Sequence, residues 1–362
     1  MLGSMSPVRW VVRCSMVAAV RSIERSRRVR TLRRAATLLA AGLLVAACSQ
    51  AAGTVAPASP SPTLTAVGSC ACGSGWDPSA SHVTVDADDG AHIKGVDPIS
   101  DRIVDLTIQS PAMGGFAVAR LILPADYDSA PPSKTWPILM LLHGATRTHT
   151  DFSDINAAPD ALIVAPDGGA YGYYSDWWNG GKGGPPAYET FHLVELPQLV
   201  QRSWRASTRM AIAGISMGGF GAMSYAGRHP GMFVAAASIS GVVDTRLMPR
   251  DWQDPNLWGS PTAQADIWKA HNPADLASGF RGTTLFVSYG NGQPGPLDAA
   301  GAGSDSVETL LGQMNVAFTA ELEKLGIPAT IDAYGPGTHT GPYFDRELAK
   351  ALPILRSALT AP

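Results

Sequence analysis

The sequence predicts an α/β fold in which helices cover both faces of a mostly parallel, doubly wound sheet. Short apolar runs without alternation are typical of buried parallel strands. Six such runs lie at residues 137–142, 161–165, 210–213, 234–239, 284–288 and 329–333. Helical stretches lie between or after them, at residues 189–204, 218–228, 307–325 and 346–359. Strands that alternate with helices in this way indicate parallel crossover units.

Two further segments, residues 102–108 and 116–123, alternate apolar and polar side chains and are predicted to be antiparallel strands at the sheet edge. Together these elements predict one α/β domain over residues 82–362. Hydrophobic residues make up 45% of the chain and charged residues 16%, which excludes a disordered, charge-rich protein. The net charge of −3 argues against a nucleic-acid partner, because such proteins usually carry a basic excess.

Residues 1–47 have the pattern of an export signal, predicted to be of the lipoprotein type. They contain nine Arg and a single acid, Glu24, and end in an apolar run at residues 35–47 that is too short to span a bilayer. The run closes on Val45-Ala46-Ala47-Cys48, which resembles the lipobox at which bacterial signal peptidase cuts before a lipidated Cys. The pattern therefore predicts a protein anchored to the outer face of the cell membrane by a lipid on Cys48, with plain secretion as the alternative.

The segment at residues 48–81 is predicted to be a tether, because it opens with an uncharged stretch of Ala, Ser, Thr and Pro that cannot bury a core. Its Cys70 and Cys72 are compatible with a strained disulfide, pairing between molecules or free thiols.

Loss of residues 1–47 would remove nine of 27 basic and one of 30 acidic side chains. The remaining chain would have 18 basic and 29 acidic side chains, a net charge of about −11. Such an acidic surface disfavours anionic lipid headgroups, so membrane contact is expected only through the lipid on Cys48.

The motif Gly214-Ile215-Ser216-Met217-Gly218 carries the strongest indication of chemistry. It has the form Gly-x-Ser-x-Gly, and it lies between the apolar run 210–213 and a small-residue helix that begins at Gly218. This strand–turn–helix context is that of a nucleophile elbow, in which a tight turn presents the Ser hydroxyl above the sheet. Ser216 is therefore the predicted nucleophile.

A serine nucleophile needs a base and an acid. In this fold class the acid follows the Ser along the chain, and the His follows the acid. His339 lies in the Gly-rich loop directly after the last strand run and is the predicted base. Asp298, Asp305 and Glu308 all follow the run 284–288, and Asp244 is a fourth, weaker candidate for the acid. The sequence pattern by itself leaves the choice among these carboxylates open.

An oxyanion hole needs two backbone N–H donors. The amide of Met217 follows the nucleophile and is predicted to supply one, and the loop His143-Gly144-Ala145-Thr146 is predicted to supply the other from Ala145. His143 is expected to be a structural polar residue rather than a base. Arg147, Asp176 and Trp177 are predicted, more weakly, to contact substrate, the last two from the aromatic and Gly-rich loop 171–186.

The region from residue 136 to residue 344 resembles the "putative esterase" branch of the α/β-hydrolases, which includes esterase D-like enzymes, feruloyl esterases and the antigen 85-type mycolyltransferases. The matching segments are Leu141-Leu142-His143-Gly144, Tyr174-Ser175-Asp176-Trp177-Trp178, Glu195-Leu196-Pro197, residues 214–219, His229-Pro230, Ser240-Gly241, Tyr289-Gly290-Asn291-Gly292 and Gly337-Thr338-His339. The resemblance implies an α/β-hydrolase fold and favours Glu308 as the triad acid, since the mycolyltransferases place a Glu at the matching position. It does not carry over their sugar pocket, because Gly341 stands where they have a Trp.

The sequence thus predicts an exported serine esterase with a Ser-His-Glu triad and an acyl-enzyme intermediate. An acyltransferase that moves an acyl chain to a sugar or glycerol hydroxyl is the first alternative, and a non-catalytic, carbohydrate-binding cell-wall relative is the second. The expected partner is a small-molecule, lipid or carbohydrate ester, and the expected state is a monomer. No metal and no organic cofactor is expected, because neither triad chemistry nor the His and Cys pattern calls for one.

Overall fold

A nine-stranded sheet forms the centre of the described chain. The computed structural model describes residues 83–152, 155, 160–252 and 254–361. The predicted signal peptide at residues 1–47, the predicted tether at residues 48–81 with Cys48, Cys70 and Cys72, and residue 82 lie outside the described residues. The boundaries predicted at residues 47 and 81 therefore stay predictions.

The strands run in the order β1-β2-β3-β5-β4-β6-β7-β8-β9 across the sheet. Their bounds are His92–Ser100 (β1), Ile103–Ser110 (β2), Gly115–Ile122 (β3), Trp136–Leu142 (β4), Leu162–Pro166 (β5), Ala206–Ile215 (β6), Phe233–Ile239 (β7), Thr284–Gly290 (β8) and Thr330–Gly335 (β9). The pairs β1–β2, β2–β3 and β3–β5 are antiparallel, and all pairs from β5 to β9 are parallel. The carboxyl ends of six strands therefore meet at one sheet edge, where ligands bind in open α/β sheets.

The helices carry the labels α1 to α6. Three consecutive segments form α1, an α-helical turn at Tyr188–Thr190, a π-helical segment at Phe191–Glu195 and an α-helix at Leu196–Ser203. The others are Met217–Arg228 (α2), Pro255–Trp258 (α3), Ala265–His271 (α4), Ser306–Lys324 (α5) and Gly341–Thr360 (α6). Short 3-10 turns lie at His149–Phe152, Asn179–Gly181, Thr245–Leu247, Arg250–Trp252 and Ala277–Phe280.

Two apolar layers lie on the two faces of the sheet, as the predicted fold class requires. Along β6, Met210 and Ile212 face a layer with α1, α2 and α5, whereas Ala211 and Ala213 face a layer with α6. This two-residue alternation is the strand period, and both faces of β6 are buried because helices cover both. The α/β-hydrolase fold predicted from the sequence is confirmed.

The sequence pattern missed the edge strand β1 and the short helices α3 and α4. Most of β1 is exposed or half-buried, and the strand contains Gly95 and Pro98. A strand paired on one side only has no continuous apolar face, and Pro is tolerated there because its missing N–H is not needed by a second neighbour. No helix within the described residues is long and apolar enough to span a bilayer.

His192 is fully buried and connects α1 with α2 and with the residue that follows β5. Its Nε2 lies 3.0 Å from the carbonyl of Asp167, which can only accept, so Nε2 donates and Nδ1 accepts from the Tyr225 hydroxyl at 2.9 Å. Burial lowers its pKa to about 3, so the ring is neutral at neutral pH.

This buried ring predicts a pH-dependent stability. Unfolded histidine titrates near pH 6.5, so below that pH the unfolded chain binds a proton that the folded ring refuses until about pH 3. The free energy of unfolding should be greatest above pH 6.5 and fall as the pH is lowered, with up to about 1.4 kcal/mol per pH unit from this residue. Denaturant titrations from pH 7 to pH 4 measure the slope.

His192→Gln is the matched variant, because its amide can still donate to Asp167 and accept from Tyr225. It should have a shallower slope than the parent chain over the same pH range. A part of the slope should remain, since burial also lowers the pKa of His271. An unchanged slope in the Gln variant would contradict this account of His192.

Candidate active site

Ser216 occupies a strained turn between β6 and α2. Its backbone has φ 58° and ψ −118°, an arrangement that non-glycine residues rarely adopt. The flanking glycines leave no room for a side chain, because a Cβ at Gly214 would lie 2.0 Å from the Gly218 carbonyl oxygen and one at Gly218 would lie 2.0 Å from that of Leu142. The turn thus needs both glycines, and it presents Ser216 at the carboxyl edge of the sheet.

His339 lies within hydrogen-bond reach of the Ser216 hydroxyl. Its Nε2 is 3.0 Å from Ser216 Oγ, and its Nδ1 is 2.7 Å from Glu308 Oε2. Because a carboxylate accepts, Nδ1 carries the proton and Nε2 is free to accept from the hydroxyl. The ring also meets Phe344 edge to face, with centroids 4.8 Å apart.

Glu308 lies in the first turn of α5 and is fully buried. Its second oxygen, Oε1, accepts from the Gly290 amide at 2.7 Å, the Ser240 hydroxyl at 2.8 Å and the Tyr334 hydroxyl at 3.2 Å. Burial and the adjacent carboxylate raise the pKa of the Tyr334 phenol, so it stays a donor. One carboxylate oxygen is therefore fixed by donors while the other faces His339.

Asp305, the first of the other acid candidates, caps the same helix. Its Oδ1 accepts from the amides of Val307 and Glu308 at 2.8 and 3.2 Å, and its Oδ2 accepts from the His339 amide at 2.9 Å. Asp305 thus holds the backbone of the His339 loop and does not contact the imidazole through these bonds.

Asp298 and Asp244 are used elsewhere. Asp298 accepts from the hydroxyls of Thr338 and Tyr343, and the Thr338 bond lowers the pKa of its carboxyl. Asp244 is buried and forms a two-point ion pair with Arg246. Of the four candidate carboxylates, Glu308 is the one that contacts the His339 ring.

The two predicted oxyanion donors line one cleft with Ser216. Met217 and Ala145 both line it, and neither amide has a hydrogen-bond acceptor among the described residues. Thr146, next to Ala145, has φ 63° and donates its amide to the Ala170 carbonyl at 2.8 Å, which fixes the loop. Two unpaired N–H groups beside a hydroxyl are the arrangement that a developing oxyanion requires.

His143 has both ring nitrogens in use and is fully buried. The Gly168 amide donates to its Nε2 at 2.8 Å, so Nδ1 carries the proton and donates to the Gly144 carbonyl at the same distance. This is the structural role expected from the sequence.

The three weaker substrate-contact candidates lie in different places. Arg147 is exposed, lines the cleft and pairs with Asp151 at 3.0 Å. Asp176 does not line it. Its carboxylate instead accepts from the amide and hydroxyl of Thr190 at 2.9 and 2.6 Å. Trp177 lines a neighbouring cleft instead.

The cleft at Ser216 has a volume of about 920 Å³ and one apolar side. The sequence did not reveal the α6 residues on that side, Phe344, Leu348 and Leu352, as part of the site. Their i, i+4, i+8 spacing places them in a row along one helix face. That spacing was visible in the sequence, but a core-facing stripe has the same pattern, so only the position of α6 reveals the groove.

Residues 110–355 match the family described as "Putative esterase". The curated "Esterase Rv1288" of Mycobacterium tuberculosis is 31% identical over 244 residues, which cover 61% of this chain and 52% of the relative. The "Diacylglycerol acyltransferase/mycolyltransferase Ag85B" of Mycobacterium intracellulare is 32% identical over 223 residues, which cover 55% and 66%. The chain therefore spans about half the length of the first of these relatives.

Solved structures share the fold at lower identity. An S-formylglutathione hydrolase from Agrobacterium tumefaciens superposes with a TM-score of 0.59 at 19% identity, covering 74% of this chain and 99% of that one. A ferulic acid esterase gives 0.55 at 23%, covering 71% and 98%. At this identity the likeness establishes the fold and no more.

Proposed function

Because this chain belongs to the "putative esterase" family, we propose that it is an exported serine ester hydrolase that forms an acyl-enzyme on Ser216. The observation that carries the proposal is the hydrogen-bond chain from Ser216 through His339 to Glu308, with distances of 3.0 and 2.7 Å. Nucleophile, base and orienting acid within such distances support a Ser-His-Glu triad, because triads are recognised by geometry and role.

The proposed reaction follows from this geometry. Ser216 Oγ attacks the ester carbonyl carbon while His339 Nε2 takes the hydroxyl proton, and Glu308 stabilises the imidazolium. The amides of Met217 and Ala145 hold the negative oxygen of the tetrahedral intermediate. Cleavage of the C–O bond releases the alcohol, which takes the proton from His339. Water then attacks the acyl-enzyme by the same steps in reverse and frees the acid.

The hydrolase proposal has a direct test. The purified chain should hydrolyse short-chain aryl esters and should be labelled by a fluorophosphonate at Ser216, located by peptide mass spectrometry. Folded protein that neither hydrolyses nor labels would overturn the proposal and favour a non-catalytic, carbohydrate-binding relative.

Acyl transfer is the second candidate, and the 32% identity to a diacylglycerol acyltransferase/mycolyltransferase favours it. Hydrolase and transferase share every step up to the acyl-enzyme and differ in the acceptor. Incubation with an aryl ester in the presence of trehalose or a diacylglycerol separates them. New acylated acceptor would assign transfer, and free acid alone would assign hydrolysis.

Leu352→Trp should shorten the range of acyl chains, if the apolar side of the cleft holds the acyl group. Leu352 is half-buried on α6, and an indole there would fill part of the groove. Blocking about three methylenes removes roughly 2 kcal/mol of binding, so kcat/KM for a decanoate ester should fall on the order of 30-fold while that for an acetate ester changes little.

Ser357→Trp is the control, because Ser357 is exposed on the same helix and does not line the cleft. It should leave the chain-length profile unchanged. Parallel losses for acetate and decanoate in the Leu352 variant would contradict an acyl groove beside α6.

Export and lipid attachment are part of the proposal, and Cys48 is the residue that tests them. If the lipid on Cys48 is the anchor, Cys48→Ala should move the protein from the membrane fraction to the culture medium, because the acidic mature chain has no attraction to anionic headgroups. Cys14→Ala, within the leader, is the control and should leave the distribution unchanged. A Cys48 variant that stays with the membrane would contradict the anchor.

A further inference from the structure

A second cleft, of about 510 Å³, adjoins the cleft at Ser216. The two share Tyr171, Asp251 and Trp252 in their walls. A ligand that occupies the second cleft can therefore reach the nucleophile without crossing the protein interior.

Aromatic rings and carboxylates dominate its lining. The aromatic side chains are Tyr171, Trp177, Tyr188 and Trp252, and the carboxylates are Asp251 and Asp254. No Lys, Arg or His lies among the described lining residues. Arg250, the nearest basic residue in sequence, lines a different cleft.

Two of these rings, Trp177 and Tyr188, are held in place before any ligand binds. Trp177 donates its indole N–H to the Gly172 carbonyl at 3.1 Å. Tyr188 lies so close to the chain that a Cβ at Gly172 would be 2.5 Å from its ring, and one at Gly169 would be 2.2 Å from its hydroxyl oxygen. The part of the wall formed by these two rings is thus preformed, which lowers the entropy cost of binding.

The carboxylates decide the charge of the ligand. Asp251 is exposed and has no hydrogen-bond or ion-pair partner among the described residues, whereas Asp254 uses one oxygen to cap α3 through the Asn256 amide at 2.8 Å. An anion would be repelled, and a neutral apolar group would remove water from these carboxylates without giving them a partner. A cation gains from both the carboxylates and the electron-rich ring faces.

We propose that the second cleft binds a quaternary ammonium group on the alcohol half of the ester substrate. The inference rests on the proposed hydrolase function and names its substrate class. Ser216 would keep the acyl group, and His339 would return its proton to the departing oxygen of the amino alcohol, which leaves with its ammonium group unchanged. The negative charge of the mature chain would attract such a substrate to the cleft.

An isosteric pair of esters tests the proposal. Butyrylcholine and 3,3-dimethylbutyl butyrate have the same shape, but the first carries a quaternary nitrogen where the second carries a carbon. The ratio of their kcat/KM values should favour butyrylcholine on the order of tenfold. Asp251→Asn and Trp177→Leu should each bring this ratio close to one.

Asp266→Asn is the charge-matched control, since Asp266 is an exposed carboxylate on α4 that lines neither cleft. It should keep the preference for butyrylcholine. A ratio near one in the parent chain, or a preference that survives both cleft variants, would overturn the proposal.

A binding measurement separates this proposal from the hydrolase function. Tetramethylammonium chloride should change the tryptophan fluorescence of the full chain with Ser216→Ala, and sodium chloride at the same ionic strength should not. Binding that Asp251→Asn weakens, together with a parent chain that neither hydrolyses aryl esters nor is labelled by a fluorophosphonate, would support the cation site and refute the hydrolase. Absence of binding would overturn the cation site even if aryl esters are hydrolysed.

Discussion

Ser216→Ala should reduce the turnover of an aryl ester by roughly 10⁵–10⁶-fold, to the level left by binding and the oxyanion donors. The expected loss is large because the hydroxyl oxygen forms the covalent bond in the proposed mechanism, and no other hydroxyl lies at His339 Nε2 in the described structure. Steady-state kinetics on purified protein measure it, and fluorophosphonate labelling should disappear together with activity. The fold should persist, since the hydroxyl has the imidazole as its hydrogen-bond partner and supports no other element.

Ser224→Ala is the control for this experiment. Ser224 lies on the same helix, is fully buried and does not line the cleft. Its removal should leave kcat within a few-fold of the parent chain and labelling intact. If Ser216→Ala kept more than about 1% of the activity in folded protein, another group would have to be the nucleophile.

The elbow and the sheet could be predicted from the sequence because both depend on local pattern. A strand run, Gly214, Ser216, Gly218 and a helix stand within twenty residues, and the steric limits that require these glycines act within the same turn. The parallel strands were equally visible, since burial on both faces produces continuous apolar runs. Their order in the sheet, with β5 between β3 and β4, is a tertiary fact that spacing does not encode.

The choice of acid depends on three-dimensional contacts and could not come from spacing. Asp305 and Glu308 stand three residues apart, yet one contacts the His339 amide and the other its ring. The donors that orient Glu308 come from β8, β9 and the residue after β7, all distant in sequence. The resemblance to the mycolyltransferases favoured Glu308, and the structure brings the same residue to the histidine. The second cleft could not be predicted from the sequence pattern either, because its residues Trp177 and Asp251 are 74 positions apart.

Glu308→Gln should lower kcat on the order of 10³–10⁴-fold while the chain stays folded. Oε1 accepts from three donors, so the amide oxygen of Gln must take that place and its NH₂ group must face His339 Nδ1. Two donors cannot pair, and the imidazole would move its proton to Nε2, where it can no longer accept from Ser216. Kinetics on an aryl ester measure the loss, and circular dichroism reports the fold.

Asp305→Asn is the control for this prediction. The Asn side chain still caps α5 but no longer offers an acceptor to the His339 amide. Its effect on kcat should be on the order of tenfold, with about 1 kcal/mol lost in the free energy of unfolding. Asp298→Asn, which alters the contacts of Thr338 and Tyr343, should lower kcat by no more than Asp305→Asn does. An Asp305 or Asp298 variant as inactive as Glu308→Gln, in folded protein, would move the triad acid to that residue. A conserved rate in Glu308→Gln would show that His339 needs no carboxylate to hold its tautomer, since the amide keeps every other contact of the side chain.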